Sequence, residues 1–258
     1  MAKILAISSQ VVFGPVGLSA IVPALQAKGH DVLALPTVLL SNHPGHGEPT
    51  GQAQDIAAIV LALEHINAFA NLDAVIAGYF ASPEQVHSAA ALIKKLSPKI
   101  VLIDPVLGDH GKLYVPLAVA EAIRDKLVPL ATICMPNAYE LSWLTSHSIE
   151  TTADAIIAAR FLKLPEVIAT SVPAGADLAT MRITQSDVTI LKNSLRQSVP
   201  NGTGDLLSGL YLARQFSGFK NSAFADSLDL LQIAIALSGA TKILAIAQAL
   251  RQRDNPNE

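Results

Sequence analysis

The segment Val199 to Leu210, V-P-N-G-T-G-D-L-L-S-G-L, carries the residue types that chemistry on an anion needs. Gly202 and Gly204 let the backbone turn tightly and present bare N–H groups. An apolar pattern follows and predicts a helix, whose unpaired amides and positive dipole end face the loop. Asp205 would be ionised there and could take a proton from an attacking hydroxyl. The amides of 202–205 would neutralise charge on a transferred phosphoryl group, the main electrostatic need of that reaction. An ordinary acidic first turn accounts for Asp205 alone. It does not account for two glycines with Thr203 between them. No G-x-x-x-x-G-K-[ST] segment occurs, and no strand leads into G-x-G-x-x-G and a helix, which disfavours the usual P-loop and dinucleotide sites.

Such a loop needs a scaffold, and the chain alternates short apolar runs with longer helical stretches. Strands are predicted at Lys3–Ser9, Asp31–Leu35, Ala74–Gly78, Ile100–Asp104, Thr132–Met135 and Val167–Ser171, each near-continuously apolar as strands covered on both faces are. Helices are predicted near 16–28, 52–69, 83–97, 116–127, 137–146, 152–163 and 205–216, with Ser82-Pro83 opening the third. Leu178–Thr184 and Asp187–Lys192 read as an antiparallel hairpin turning at Gln185-Ser186. The expected architecture is a three-layer α/β/α sandwich, its central sheet mostly parallel with an antiparallel edge. Ligands of such sheets bind beyond the carboxyl ends of the strands. Ser9, the turn Ser41 to Gly45, Gly78-Tyr79, Asp104-Pro105, Asn137 and Thr170-Ser171 occupy those ends.

Composition narrows the class. The chain has 258 residues, 51% of them hydrophobic and 5% aromatic, so Ala, Leu, Ile and Val fill the core. A single domain over 1–258 is expected, as no linker or repeat interrupts it. A net charge of −3 without basic clusters argues against nucleic acid as a partner. One cysteine, Cys134, excludes a disulfide framework and fits a cytoplasmic location. The apolar stretch Leu228 to Leu250 carries Asp229, Gln232, Ser238 and Lys242, which reads as a buried helix or helix pair rather than a membrane span. The tail 251–258 is expected to fray. His30, His46, His65, His87, His110 and His147 form no i,i+4 ligand pair with an acidic partner and read as surface or loop residues.

Six ordered segments then resemble the pyridoxal kinases, a branch of the ribokinase-like kinases. They are I-S-S-Q-V-V-F-G-P-V-G (7–17), T-V-L-L-S-N-H (37–43), G-Y (78–79), I-D-P-V-L-G-D-H-G-K-L-Y-V-P (103–116), M-P-N-A-Y-E-L (135–141) and A-T-S (169–171), with G-T-G-D (202–205) as the ribokinase-like motif. The resemblance implies that Asp205 is the catalytic base and that Gly202, Thr203 and Gly204 form the anion hole. It implies that Ser9, Val16, Val38, His43 and Tyr79 hold the pyridine substrate. Asp104, Tyr114, Asn137, Glu140, Thr170 and Ser171 fall on the nucleotide side, with Asp104 and Glu140 near the phosphates and a metal. The implied cofactors are ATP and Mg2+, with a monovalent cation left open, and the implied assembly is a homodimer.

Other readings of the same residues stand beside these. Asn137 with Glu140 three residues on is also the pattern of a helix cap. Asp104-Pro105 is also a strand stop, and Tyr79 and Tyr114 are also ordinary core or rim aromatics. The chain departs from the family where Pro44 replaces the usual Thr after S-N-H, where Pro49 stands near a common aromatic position, and at Met135. The first two changes bear on the substrate lid, Val38–Gly51; Gly108–Pro116 is a second candidate lid. The expected reaction is transfer of the γ-phosphate of ATP to the 5′-hydroxymethyl group of pyridoxal, pyridoxine or pyridoxamine. A hydroxymethylpyrimidine kinase is the enzyme alternative, although 8–17 lacks the Gly- and Ser-rich opening loop usual there. A non-catalytic pyridoxal or nucleotide sensor is the other, and an intact Asp205 argues against it.

Overall fold

A computed structural model describes residues 1–193, 196, 198–216, 222–241 and 243–254. The chain opens with β1 (Lys3–Phe13), α1 (Leu18–Gln26), β2 (Asp31–Asn42), β3 (Gly51–Ala53), α2 (Ile56–His65) and β4 (Ala74–Ala77). It continues with α3 (Pro83–Leu96), β5 (Ile100–Ile103), β6 (Gly108–Asp109), β7 (Lys112–Leu113), α4 (Leu117–Ala122), β8 (Ile133–Cys134), α5 (Ala138–Thr145) and α6 (Thr152–Phe161). Then come β9 (Glu166–Ala174), β10 (Asp177–Ile183), β11 (Val188–Asn193), α7 (Thr203–Arg214), α8 (Ala223–Ser238) and α9 (Ile246–Asp254). These elements form two compact units, one of Met1–Gly78 with Gln197–Glu258 and one of Tyr79–Arg196.

In the first unit β1 lies between β2 and β4 and is parallel to both, while β3 pairs antiparallel with β2. Ile4, Leu5, Ala6 and Ile7 have no solvent exposure, which is why this strand is apolar on both faces. Both β1 and β2 run past their expected ends, to Phe13 and Asn42. Their register slips by one residue: Ser8 pairs with Pro36 but Gln10 with Leu39, and beyond the slip the ladder continues. The outer part of the expected lid, from Val38, is therefore strand. Expected helix 52–69 is shortened to α2, because Gln52 and Ala53 pair with Leu39 and Val38 in β3.

The helix α7 is buried from Leu206 to Arg214. Gly209 lets it close on α1, since a Cβ there would stand 3.0 Å from that of Ala24 and 3.1 Å from the Ile21 carbonyl. His30 corrects its surface reading. It is buried, its Nδ1 accepts from the Ala2 N–H at 3.2 Å, and its Nε2 lies 2.9 Å from the Ala213 carbonyl. It thereby ties the start of β1 to the end of α7. The helix or helix pair expected over 228–250 is a pair, α8 and α9. Helix α9 continues through Arg251–Asp254, where fraying was expected; 242 and 255–258 lie outside the described residues.

In the second unit β5, β8 and β9 are parallel, and β10 and β11 complete an antiparallel edge with the expected turn at Gln185-Ser186. Ser82 caps α3 and Pro83 takes its first position, as expected. The expected helix 116–127 splits. Helix α4 ends at Ala122 and widens into a π turn, Ile123–Leu127, before the short 3-10 turn Val128–Leu130. Pro129, which has no N–H to donate, prevents the α-helix from continuing. Cys134 is fully buried, and burial pushes its thiol well above the usual range, so it is an inert apolar residue.

Candidate active site

The first unit carries one set of the expected site residues. Helix α7 starts at Thr203, with Gly202 as its N-cap in the left-handed region at φ 89°. A Cβ on Gly202 would meet the Pro15 carbonyl oxygen and stand 3.3 Å from Val16 Cγ1. Glycine is therefore required twice over, for its φ and for the approach of the Pro15–Val16 backbone. No side chain caps α7. The amides of Thr203, Gly204 and Asp205 are left by the helix, while Leu206 N–H donates to the Gly202 carbonyl at 2.9 Å. This is the geometry of an anion cradle.

Asp205 does not cap its own helix. Its carboxylate accepts from the backbone N–H of Gly17, in the loop between β1 and α1. Burial among protein atoms raises its pKa to about 6, against the pull of that single donor. Asp205 as a whole residue is only partly buried. Asp205 thus lies in the first turn of α7, as the plain reading has it, but its carboxylate is held from another element rather than by the amides of its own helix. Gly17 was not singled out from the sequence. The signal was present in F-G-P-V-G, where a second glycine follows a strand by a few residues.

Ser9 and Val38 face each other across the register slip, Ser9 standing opposite Thr37 and Val38, and both are buried. Such a slip re-aims side chains at a strand end. Val16 is buried beside Gly202. His43 begins the turn after β2; its N–H donates to the Phe13 carbonyl at 3.2 Å and its Nδ1 accepts from the Gly45 N–H at 3.0 Å. That bond places the proton of the neutral ring on Nε2. Burial first, and His46 second, lower the His43 pKa, so the ring is neutral at pH 7. His46 packs edge-on against Phe13, with ring centroids 5.1 Å apart. The first unit thus brings together Ser9, Val16, Val38, His43, Gly202, Thr203, Gly204 and Asp205, all near the ends of β1 and β2 and the start of α7.

Tyr79 and the nucleotide-side residues belong to the second unit. Tyr79 is partly buried, and burial pushes its phenol above its ordinary value, so it stays protonated. Asp104 follows β5 and is buried at 8% exposure. Asn137 and Glu140 form a complete capping box on α5: Glu140 N–H donates to Asn137 Oδ1 at 2.9 Å and Asn137 N–H to Glu140 Oε2 at 2.9 Å. Glu140 Oε1 accepts two further N–H groups, from Leu107 at 3.0 Å and Gly108 at 3.4 Å. Asn137 Nδ2 donates to the Gly108 carbonyl at 2.9 Å. The pair therefore pins the start of the β6–β7 hairpin to α5. Burial raises Glu140 to about 8, against the three amides, which pull it down.

Thr170 N–H donates to the Pro136 carbonyl at 3.0 Å, which sets it beside Asn137. Ser171 sits at φ 55°, and the β9–β10 register shifts there, so two residues oppose Thr180. A non-glycine residue in that region is strained, and bulges of this kind re-aim side chains at sites. Tyr114 leaves the hairpin 62% exposed. Among the described residues no three acidic, histidine or cysteine side chains gather as a metal cluster. Both Glu140 oxygens already accept N–H groups, so its carboxyl is engaged by the protein itself.

Comparison with known proteins shows the family and fold of the chain. Residues 16–237 match the family model described as phosphomethylpyrimidine kinase. A pyridoxal kinase PdxY of Granulibacter bethesdensis is 32% identical over 269 residues, covering 90% of this chain and 94% of the relative. The pyridoxal kinase of Entamoeba histolytica has a TM-score of 0.92 at 25% identity, over 100% of this chain and 97% of that one. The pyridoxal kinase of Leishmania donovani, solved in complex with ADP and pyridoxine, has a TM-score of 0.89 at 25% identity, over 99% and 96%. The fold is thus ribokinase-like, a mostly parallel sheet with an antiparallel edge and helices on both sides.

Proposed function

This chain belongs to the phosphomethylpyrimidine kinase family, and within that family we propose that it transfers the γ-phosphoryl group of ATP to the 5′-hydroxymethyl oxygen of pyridoxal, and of pyridoxine and pyridoxamine. The observation that carries the reaction is Asp205. Its carboxylate is held by the Gly17 N–H, away from its own helix, with a pKa near 6. A base so tuned is ionised at neutral pH and still accepts a proton readily. Asp205 takes the proton of the 5′-hydroxyl as its oxygen forms a bond to the γ-phosphorus, and the bond to the β–γ bridging oxygen breaks. The amides of Thr203, Gly204 and Asp205 stabilise the charge on the transferred group.

Ser9, Val16, Val38 and His43 are the acceptor-side residues of the first unit; Tyr79, whose phenol stays protonated, is the acceptor-side residue of the second. His43 Nε2–H is a donor for a ring substituent. Asp104, Tyr114, Asn137, Glu140, Thr170 and Ser171 serve the nucleotide. Asp104 and Glu140 would hold magnesium when it is bound with ATP, and the ion would supply further charge neutralisation. A monovalent cation enters only as a variable of the assay.

The pyridoxal reading over the pyrimidine one is supported by the opening segment 8–17 and by the pyridoxal kinase relatives. The test is product mass after incubation with MgATP and a panel of vitamers and hydroxymethylpyrimidine. Pyridoxal should gain about 80 Da, one phosphoryl group. Phosphorylation of the pyrimidine alone would end the pyridoxal reading.

We further propose one kinase domain over 1–258, working in the cytoplasm as a homodimer. Among the described residues no helix is long and apolar enough to cross a membrane. The dimer is supported by α2, I-A-A-I-V-L-A-L-E-H, of which only Ile56 is buried; Leu61 is 58% exposed and Ile66, just beyond, 73%. An apolar helix so exposed marks an interaction surface. Sedimentation at micromolar concentration should give a dimer, and a monomer would refute the assembly without touching the chemistry.

A further inference from the structure

The turn after β2 and the loop before α7 meet at one point. The Asn201 side chain lies against Gly45 so closely that a Cβ on Gly45 would meet Asn201 Nδ2. A side chain at position 45 would therefore displace the Asn201 amide or the turn and break this contact. The same Cβ would stand 3.0 Å from His43 Nδ1, which accepts the Gly45 N–H. Asn201 is followed directly by Gly202, the N-cap of α7, which lies against the Pro15 carbonyl. Two consecutive residues thus touch both loops of the acceptor region, Asn201 the 43–47 turn and Gly202 the loop after β1.

The turn also has a reason to leave that position. His46 Nε2 is buried and has no hydrogen-bond partner among the described residues. Its ring rests on Phe13 and on Gly14, where a Cβ would be 3.2 Å from His46 Cδ2. A buried nitrogen without a partner costs free energy. The closed turn is therefore held by its neighbours against a polar group that would be better satisfied in water. Internal bonds fix its shape: His46 N–H to the His43 carbonyl at 2.9 Å, and Asn42 Nδ2 to the carbonyls of His43 at 3.1 Å and Gly47 at 2.9 Å.

We propose that Asn201 is a positioning residue for acceptor recognition: by seating Gly45, it holds the 43–47 turn closed over the acceptor, next to the loop that receives the phosphoryl group. This inference rests on the kinase reading above and deepens it. Asn201 touches neither the base nor the reacting atoms. It acts through the turn, so its loss should fall on acceptor binding and on exclusion of water, not on the transfer step.

The experiment compares the parent chain with Asn201→Ala and Gly45→Ala. Pyridoxal binding is read by absorbance titration without ATP. Acceptor KM, kcat and the ratio of ATP hydrolysed to acceptor phosphorylated are read with MgATP. Asn201→Ala should weaken pyridoxal binding and raise KM on the order of tenfold. It should raise the hydrolysis ratio and leave kcat at saturating acceptor near the parent value. Gly45→Ala keeps Asn201 but puts a methyl between it and the turn, so that one or the other is displaced and the contact is lost, and should reproduce the pattern; it carries the test if Asn201→Ala does not fold. If the parent phosphorylates no acceptor, the kinase reading itself fails. If the parent works and both variants bind pyridoxal as it does, the inference alone is overturned. A fall in kcat with unchanged KM and unchanged hydrolysis ratio also overturns it, since Asn201 would then act through the start of α7.

Discussion

The two units each bury a carboxylate at a helix start, and they use it in opposite ways. Glu140 stands at the third position of α5 and accepts three backbone N–H groups, with both oxygens occupied. Asp205 stands at the third position of α7 and accepts one N–H, from Gly17 in another element. Glu140 is the cap its sequence pattern allows; Asp205 is not. The difference lies in how much of the acid is spent on the protein itself. A carboxylate saturated with amides holds a hairpin in place. A carboxylate with one donor retains lone pairs for a substrate proton.

The comparison breaks first at Asp205. Asp205→Asn keeps size and one acceptor but cannot take a proton. Turnover with pyridoxal should fall by ~10²–10⁴-fold, the usual worth of a general base. A near-normal rate would reduce 202–205 to an anion-binding helix start. In the parent, kcat/KM for the acceptor should rise with pH through about 6 and level off. Stability should move the other way. Asp205 has a raised pKa, so its stabilising contribution is full below the unfolded value of about 3.9 and is lost as pH rises through about 6. Asp205→Asn should therefore melt higher than the parent at pH 8 and lose that advantage at pH 4. Melting curves at the two pH values that stay superimposable would remove the buried base.

Glu140 sharpens the contrast with a smaller effect. Glu140→Gln puts an NH2 group where an oxygen now accepts N–H, so at least one amide among Leu107, Gly108 and Asn137 loses its acceptor. A buried group left unpaired costs about 1–3 kcal/mol. That lowers Tm by about 2–4 °C per kcal/mol in a chain of this size. The KM for ATP should rise with it, because Gly108 opens the hairpin that leads to Tyr114. An unchanged Tm with a raised KM would mean that Glu140 serves the nucleotide directly and the hairpin only incidentally.

The order of strands and helices was legible because buried parallel strands leave apolar runs of four to seven residues, too short for the helices that alternate with them. The antiparallel edge and the caps at Ser82 and Asn137 were legible for the same local reason. What escaped depended on partners distant in sequence. The one-residue slip between β1 and β2 leaves no mark on either strand alone, so both were read short. His30 looked like a surface residue because its two partners, Ala2 and Ala213, lie 28 and 183 positions away. Asp205 was found from its own loop, but the donor that holds it was not, since Gly17 contributes only a backbone N–H. His43 was found by resemblance and His46 was set aside. Nothing local distinguishes a histidine packed on Phe13 from one in a solvated turn.

That backbone donor makes position 17 hard to interrogate by genetics. Every residue except proline brings the same N–H, so no side-chain replacement deletes the bond to Asp205. Gly17 has φ 56°, and a Cβ on it would meet the Ser9 carbonyl oxygen and Oγ. An alanine scan would therefore record a steric failure at Gly17 and attribute it to folding, while the hydrogen bond that tunes the base went unmeasured. Only a change in the backbone atom itself, an ester in place of the Val16–Gly17 amide, would separate the two.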